Sequence, residues 1–493
     1  MNDLLVLLVA GPILAAILPI AAGLVAEGTG RYVALALSLV QVVLATSVLW
    51  TVRTGGAFTY DVGNYPPPFG IELVADGVSG PLLTLVALTT LGVVVYTLHA
   101  GPHSDAFYSE LLILLAGLSG LVATGDVFNL YVFLEITGLA TYAVVASGRS
   151  PRAAYASLKY LIVGTIGASF YLLGVGYLFV ATGTLNMADL AAKIPAVGYE
   201  SPLIVAGFSF IVVGLAVKVA LFPLHTWQPD AYAESPHSVS AYIAALVSTA
   251  AAYALFRIVY EVFTVDFFAA VPLAQDLALA AAAVSIVVGA VLAVMQRDLK
   301  RMLAYSSVSH FGLIVAGIAI GTETAVTGGL IHLVGHGIMK GGLFLAVGIF
   351  ATAAGTRRTD EIAGLGTRLP VTSGLFAILA FSMVGVPPAI GFPGKWNIVL
   401  GAVEAGRFAV ATVAVASTLM TLGYFGRVVE RLYFADGEPM DEERASVVAD
   451  GGGIEPSSIM VAVLAGAAVA TLVLGIGVSA LVDSFDPVLE VYF

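Results

Sequence analysis

The sequence contains no cysteine and very little charge. With no Cys among 493 residues, thiolate-ligated iron–sulfur clusters, disulfides and cysteine zinc sites are excluded. Charged residues make up 11% of the chain against 59% hydrophobic, and the mean hydropathy is +1.00. A soluble chain of this length would alternate polar and apolar faces. Here apolar runs of about 20 residues recur from end to end, and polar residues collect between them. The P-loop, the dinucleotide-binding fingerprint and the nucleophile elbow are also missing, which points to transport rather than catalysis.

What is present is a polytopic, all-α membrane protein. Charge clusters and Gly/Pro punctuation divide it into fourteen spans, roughly 4–26, 32–52, 75–99, 109–125, 127–147, 156–182, 202–222, 238–262, 271–295, 301–320, 325–353, 370–394, 400–433 and 459–482. The first run is too long for a signal-peptide core and follows an acidic start. Between the second and third spans, Arg53 to Asp76 with Pro66-Pro67-Pro68 reads as extended.

The net charge of −12 rests on segments such as DGEPMDEERASVVAD (436–450) and DSFDPVLE (483–490). Acidic loops argue against nucleic acid as a partner and suit a salt-rich environment. Thirteen loop lysines and arginines, among them Arg149, Arg152, Lys159, Arg297, Lys300 and Arg301, follow odd-numbered spans. Four, Arg53, Lys193, Arg257 and Arg407, follow even-numbered ones. The positive-inside rule then makes the odd loops cytoplasmic and places both termini outside.

Spans seven and twelve are interrupted, in LFPLHTWQPDAYAESPHS (221–238) and VGVPPAIGFPGKW (384–396). Proline frees carbonyls from the helical ladder, and paired broken helices are a mark of inverted repeats around an ion site. Spans four to eight and nine to thirteen form two groups of five, each broken in its fourth member. The expected division is 1–108 (three helices), 109–262 and 263–435 (two inverted five-helix repeats), and 436–493 (acidic loop and last helix).

Three of the twenty lysines and arginines are left over from the loops, Lys218, Lys340 and Lys395, and Glu135 joins them as charge placed in apolar runs. Each costs about 2.5 to 3.5 kcal/mol near the bilayer centre if unpaired, so they must be paired, hydrated or neutral part of the time. Glu135, midway along GDVFNLYVFLEITGLATYAVVA (125–146), and Lys218, five residues before Pro223, are expected to form a pair that responds to protonation. The bland alternative is a structural ion pair.

His332, His336 and Lys340 follow one another at i, i+4 in span eleven, a stripe about 12 Å long on one helix face. Such a stripe suits proton relay. An i, i+4 pair cannot sandwich a haem iron, and HLVGH lacks the zinc-protease glutamate, so no cofactor is expected. The bland alternative is core histidines bonded to carbonyls. Lys395 closes the second break, where a snorkelling lysine would need no function. His310, in AYSSVSHFG, could belong to a hydrated face or a relay. Lys159 could mark a cytoplasmic helix end, and Asp230, Glu234 and His237 could line an ion entrance or a solvated loop.

The segments GDVFNLYVFLEITGLATYAVV, ASLKYLIVG, VKVALFPLHTWQPDAYAESPHSVSA, QRDLKRMLAYSSVSHFG, IHLVGHGIMKGGLFL and GVPPAIGFPGKW resemble the antiporter-like membrane subunits shared by Mrp-type multisubunit Na+/H+ antiporters and respiratory complex I. The resemblance runs from about Asn64 to Arg431, and NYPPPFGIELVADGVSG (64–80) is most similar to the D-type Mrp subunits. It implies fourteen helices in two inverted repeats, a central hydrated polar axis in a prokaryotic cell membrane, and partner membrane subunits. It also implies a proton pathway on Glu135, Lys218, Lys340 and Lys395 with His332 and His336 alongside.

One departure stands out. Family members usually carry a lysine or histidine in span eight, where LVSTAAAYALFR (246–257) has Thr249, which cannot hold the charge. Three functions follow: a proton- and sodium-exchanging antiporter subunit, a proton-pumping arm of an NADH:quinone oxidoreductase or membrane-bound hydrogenase, or a scaffold without its own ion path.

Overall fold

A computed structural model describes residues 3–148, 150–435 and 456–493; the acidic run 436–450 lies outside them. The chain opens with α1 (Asp3–Ala15) and α2 (Leu18–Val25), which together make the first span, and α3 (Gly30–Gly55). The Asp105 carboxylate ties their connection down by accepting from the Gly30 amide at 2.8 Å. The extended segment that follows is a hairpin of β1 (Phe58–Asp61) and β2 (Glu72–Ala75), antiparallel with Phe58 opposite Ala75.

Next come α4 (Ser79–Ala100), α5 (Asp105–Ala123), α6 (Val127–Ala146), α7 (Pro151–Thr182), α8 (Met187–Val197), α9 (Pro202–Val219), α10 (Gln228–Glu234) and α11 (His237–Arg257). A π-helical turn at Ile258–Phe263 carries α11 into α12 (Thr264–Ala270). The second half holds α13 (Pro272–Met295), α14 (Leu299–Ile320), α15 (Glu323–Ala354), α16 (Leu365–Arg368), α17 (Pro370–Val384), α18 (Gly391–Glu404) and α19 (Phe408–Tyr433). After the acidic run come α20 (Ser458–Ile476) and α21 (Val478–Leu489).

Thirteen helices among the described residues are long and apolar enough to cross a membrane. The fourteenth expected span is the broken pair α17 and α18. Starts are written in the sequence: Asp126, Ser150, Asn186, Asp298 and Thr322 each accept a backbone N–H three residues on, satisfying an orphan donor of the first turn.

Burial sorts the spans. The most apolar window of α11 is wholly buried and that of α14 nearly so, whereas only 28% of that of α3 and 22% of that of α20 are buried. A helix apolar all round belongs inside a bundle, and exposed Leu39, Val43 and Trp50 on α3 present the surface that lipid requires.

The two halves repeat with a constant offset. Val127 donates to the Leu185 carbonyl and Met187 to that of Gly125; Leu299 donates to Arg357 and Thr359 to Arg297. Each residue of the second set carries a number 172 higher than its counterpart (127 and 299, 185 and 357, 187 and 359, 125 and 297). Adding the same 172 to Pro151–Thr182 gives Glu323–Ala354, and both helices have 32 residues. Five steps along the sequence of spans lead from one of these helices to its equivalent, the odd number that an inverted repeat requires.

The structure corrects several boundaries. Residues 400–404 belong to α18, because the break ends at Ile390, helix resumes at Gly391, and Gly406 at φ 69° closes it. The span expected over 400–433 therefore starts at Phe408. The stretch before Pro202 contains α8, a short capped helix with Met187, Leu190 and Ile194 buried. The loop expected after span seven is α10, and the last span stops at Ile476 before α21.

Candidate functional site

Both breaks turn on a residue with positive φ, Ala220 at 65° after α9 and Gly385 at 97° after α17. Alanine disfavours that region, so local contacts must hold the first break. The Trp227 indole donates to the Val217 carbonyl at 2.9 Å, and Ser248 Oγ of α11 donates to that of Lys218 at 3.2 Å. Gln228 Nε2 donates to Ser248 Oγ at 3.3 Å and to Tyr232 Oη at 3.1 Å. Trp227 also stacks on Tyr160 at 3.8 Å, which meets Tyr142 edge-on at 4.7 Å.

At this break Lys218 Nζ donates to Glu135 Oε1 at 3.1 Å. Lys218 is buried, whereas the Glu135 side chain is 21% exposed, so the pair faces two environments. The pairing expected from the sequence is present. Thr249, beside Ser248 on α11, is buried, and among the described residues its hydroxyl has no hydrogen-bond partner, nor have the buried Tyr142 Oη and Gln228 Oε1. Buried polar atoms require a partner, so this region suits ordered water.

The second break packs on α15. A Cβ on Gly394 would lie 2.9 Å from His332 N, Cα and Cβ, so the start of α18 touches the α15 backbone at the histidine. Lys395, the next residue, is buried and donates to the Val384 carbonyl at 3.1 Å. It does not snorkel.

The α15 stripe faces α14 along its length. His332 Nε2 lies 2.9 Å from His310 Nδ1. The His336 ring is 6.1 Å from that of His310 and 4.5 Å from Phe311. Lys340 Nζ donates to the Leu303 carbonyl at 2.9 Å. All four ionisable residues are fully buried, and among the described residues none pairs with a carboxylate. The three histidines are not satisfied by carbonyls: among the described residues, His310 Nε2, His332 Nδ1 and both His336 nitrogens have no hydrogen-bond partner.

The remaining candidates gather at the odd-loop end. Asp230 accepts from Lys159 Nζ at 2.7 Å and from Arg301 Nη2 at 2.8 Å. With Glu234, Arg152, Tyr155, Asp298 and Arg357, Asp230 and Arg301 line a cavity of about 340 Å³. Lys159 is thus part of a charged cluster rather than a lone helix-end marker, and Asp230 and Glu234 sit on a helix rather than a solvated loop. His237 is largely enclosed at the start of α11, against Gly348 of α15.

Two groups were hidden by their position in the sequence. Arg257, counted as a loop residue, is buried and bonded to Asp76 at 2.5 Å and Glu261 at 3.3 Å. Burial alone would raise the Asp76 carboxyl, but the Arg257 guanidinium and the amides of Ser79 and Val78 outweigh it and hold it below the usual carboxylate range. Lys300, also counted as a loop residue, is fully buried. Lys300 lies between the ninth and tenth spans and Arg257 close to the end of the eighth, where a basic residue ordinarily meets water, so hydropathy gave no signal for them.

The sequence pattern described as NADH:quinone oxidoreductase/Mrp antiporter, transmembrane, matches residues 124–421, which hold all of these residues except Asp76. NADH-quinone oxidoreductase subunit N of Desulforudis audaxviator (strain MP104C) is 44% identical over 449 residues, 88% of this chain and 86% of that protein. The D-type subunit of the Na(+)/H(+) antiporter of Bacillus subtilis (strain 168) is 32% identical over 395 residues, 80% of this chain and 79% of that one. A chain in the structure of the Mrp complex from Dietzia sp. DQ12-45-1b superposes with a TM-score of 0.86 at 27% identity, covering 98% of this chain and 96% of its own. The chain is a multi-pass membrane protein of the NADH:quinone oxidoreductase/Mrp antiporter family.

Proposed function

We propose that the chain is the proton-translocating subunit of a multisubunit cation/proton antiporter exchanging Na+ for H+ in a prokaryotic plasma membrane. Both termini lie outside, other membrane subunits are its partners, and residues 109–262 and 263–435 are its two inverted repeats. The observation that carries the reading is the line of His310, His332, His336, Lys340 and Lys395, buried without a carboxylate partner among the described residues.

Five basic groups packed together in low dielectric cannot all be charged at once. They hold protons in turn. The 2.9 Å bond between His310 and His332 needs one nitrogen to donate and the other to accept, so moving that proton is a tautomer exchange and needs no rearrangement of helices. The Glu135–Lys218 pair supplies the complementary switch. A proton on Glu135 weakens the pair and leaves Lys218 as an uncompensated buried cation, which favours release toward its neighbours. Thr249 stands between the halves as a hydroxyl that both donates and accepts but never carries the charge. Membrane potential, at about 2.3 kcal/mol per charge per 100 mV, drives the exchange.

The test is Glu135→Gln in the assembled complex, reconstituted in vesicles with a pH indicator. Sodium-driven proton movement should be lost while assembly persists. Full exchange by an assembled variant would leave the scaffold reading in its place. A second reading, a proton-pumping membrane-arm subunit of an NADH:quinone oxidoreductase, is favoured by the 44% identity to a subunit N. Copurification with flavin- and iron–sulfur-bearing proteins would select it over the antiporter.

A further inference from the structure

Lys300 is a second-residue lysine of α14 and does no work in the scheme above. Its ammonium donates to the Ser235 carbonyl at 2.6 Å and the Ala233 carbonyl at 3.4 Å. Those carbonyls lie at the end of α10, where four are left without helical partners. The side chain is fully buried, and among the described residues it has no carboxylate within ion-pair distance. Arg357 donates to the same Ala233 carbonyl.

Its position joins two features that are otherwise separate. On one side is the charged cavity, which holds Glu234 of α10, Arg301 of α14, and Asp298 and Arg357 from the connections flanking α14 and α15. On the other is the polar stripe of α14. Residues 300, 303, 307 and 310 recur at helical spacing on one face. Ser307 Oγ and Lys340 Nζ both donate to the Leu303 carbonyl, at 3.2 Å and 2.9 Å, and His310 bonds His332. From Lys300 to His310 is about 15 Å of helix, spanned by Lys340, Ser307 and the histidines.

Building on the transport reading above, we propose that Lys300 is the inlet residue of the second repeat, taking protons from the charged cavity and passing them to Lys340 and the histidine line. The charged and titratable groups around it are Glu234 and His237 from the α10–α11 junction, Asp298 and Arg301 beside it, and Arg357 after α15. A purely structural lysine would only tie the end of α10 to α14. Arginine can make the same carbonyl bonds but does not release its proton, which separates the two roles.

The experiment compares Lys300→Arg, Lys300→His and Glu135→Gln in the intact complex, reading sodium-driven proton movement in vesicles across pH. Lys300→Arg should assemble and lose exchange by about 100-fold, the lower range of a positioned proton-transfer group. Lys300→His should retain exchange with its optimum moved to lower pH, because imidazole titrates below an amine. Wild-type exchange by Lys300→Arg would overturn the proposal, as would equal loss in both variants with an unmoved pH profile. If arginine prevents assembly, Lys300→Gln gives the same reading. Normal exchange by Glu135→Gln would instead sink the transport reading itself.

Discussion

Gly394→Ala tests the contact that sets the second break against the histidine line. A methyl group there would sit 2.9 Å from three atoms of His332, two of them backbone. None is the end of a flexible side chain, so α18 must move off α15. Overpacking of this kind costs about 1–3 kcal/mol, while replacing glycine in a helix returns about 0.5–1 kcal/mol. The net should be a loss of about 1 kcal/mol or more. Gly466→Ala on α20 is the control, since nothing lies within 4 Å of its added Cβ; it should be neutral or slightly stabilised. Thermal scans of the purified complex should separate the two variants by a few degrees. Exchange should fall in Gly394→Ala alone, because Lys395 moves away from His332. Equal melting and equal transport would refute the close approach of α18 on α15.

Three further outcomes follow from the geometry. Glu135→Leu leaves Lys218 buried without its partner and should cost about 3–5 kcal/mol; adding Lys218→Leu should recover most of it, and additive losses in the double-mutant cycle would contradict direct pairing. Because Asp76 has a lowered folded-state pKa, its contribution to stability is complete above the ordinary value of 3.8 and fades as pH falls through the lowered value. Arg257→Met should abolish that acid-side slope in a pH series of melting temperatures. The Cys-free chain allows single-cysteine labelling with an impermeant thiol reagent in intact cells: Glu200→Cys should react and Thr367→Cys should not, and the reverse would invert the orientation.

The sequence revealed residues whose chemistry clashes with their surroundings. Glu135, Lys218, Lys340 and Lys395 stand in apolar runs, and the structure buries or half-buries every one. The breaks were legible because proline cannot continue a helix. Lys300 and Arg257 were not, since each sits at the edge of a run where a basic residue normally meets water. The direction of the stripe was legible from its i, i+4 spacing, but its partner was not: that His310 completes it depends on how α14 packs against α15. The boundary between spans twelve and thirteen was misplaced because α18 is as apolar as the span that follows it.

The central claim is that protons cross on the buried bases of α14, α15 and α18. Lys340→Met tests it most directly, because it removes the amine while keeping an apolar stem of similar length. Reconstituted beside the wild type, the assembled variant should show no sodium-driven proton movement at any pH. Wild-type movement through a Lys340→Met complex would contradict the account.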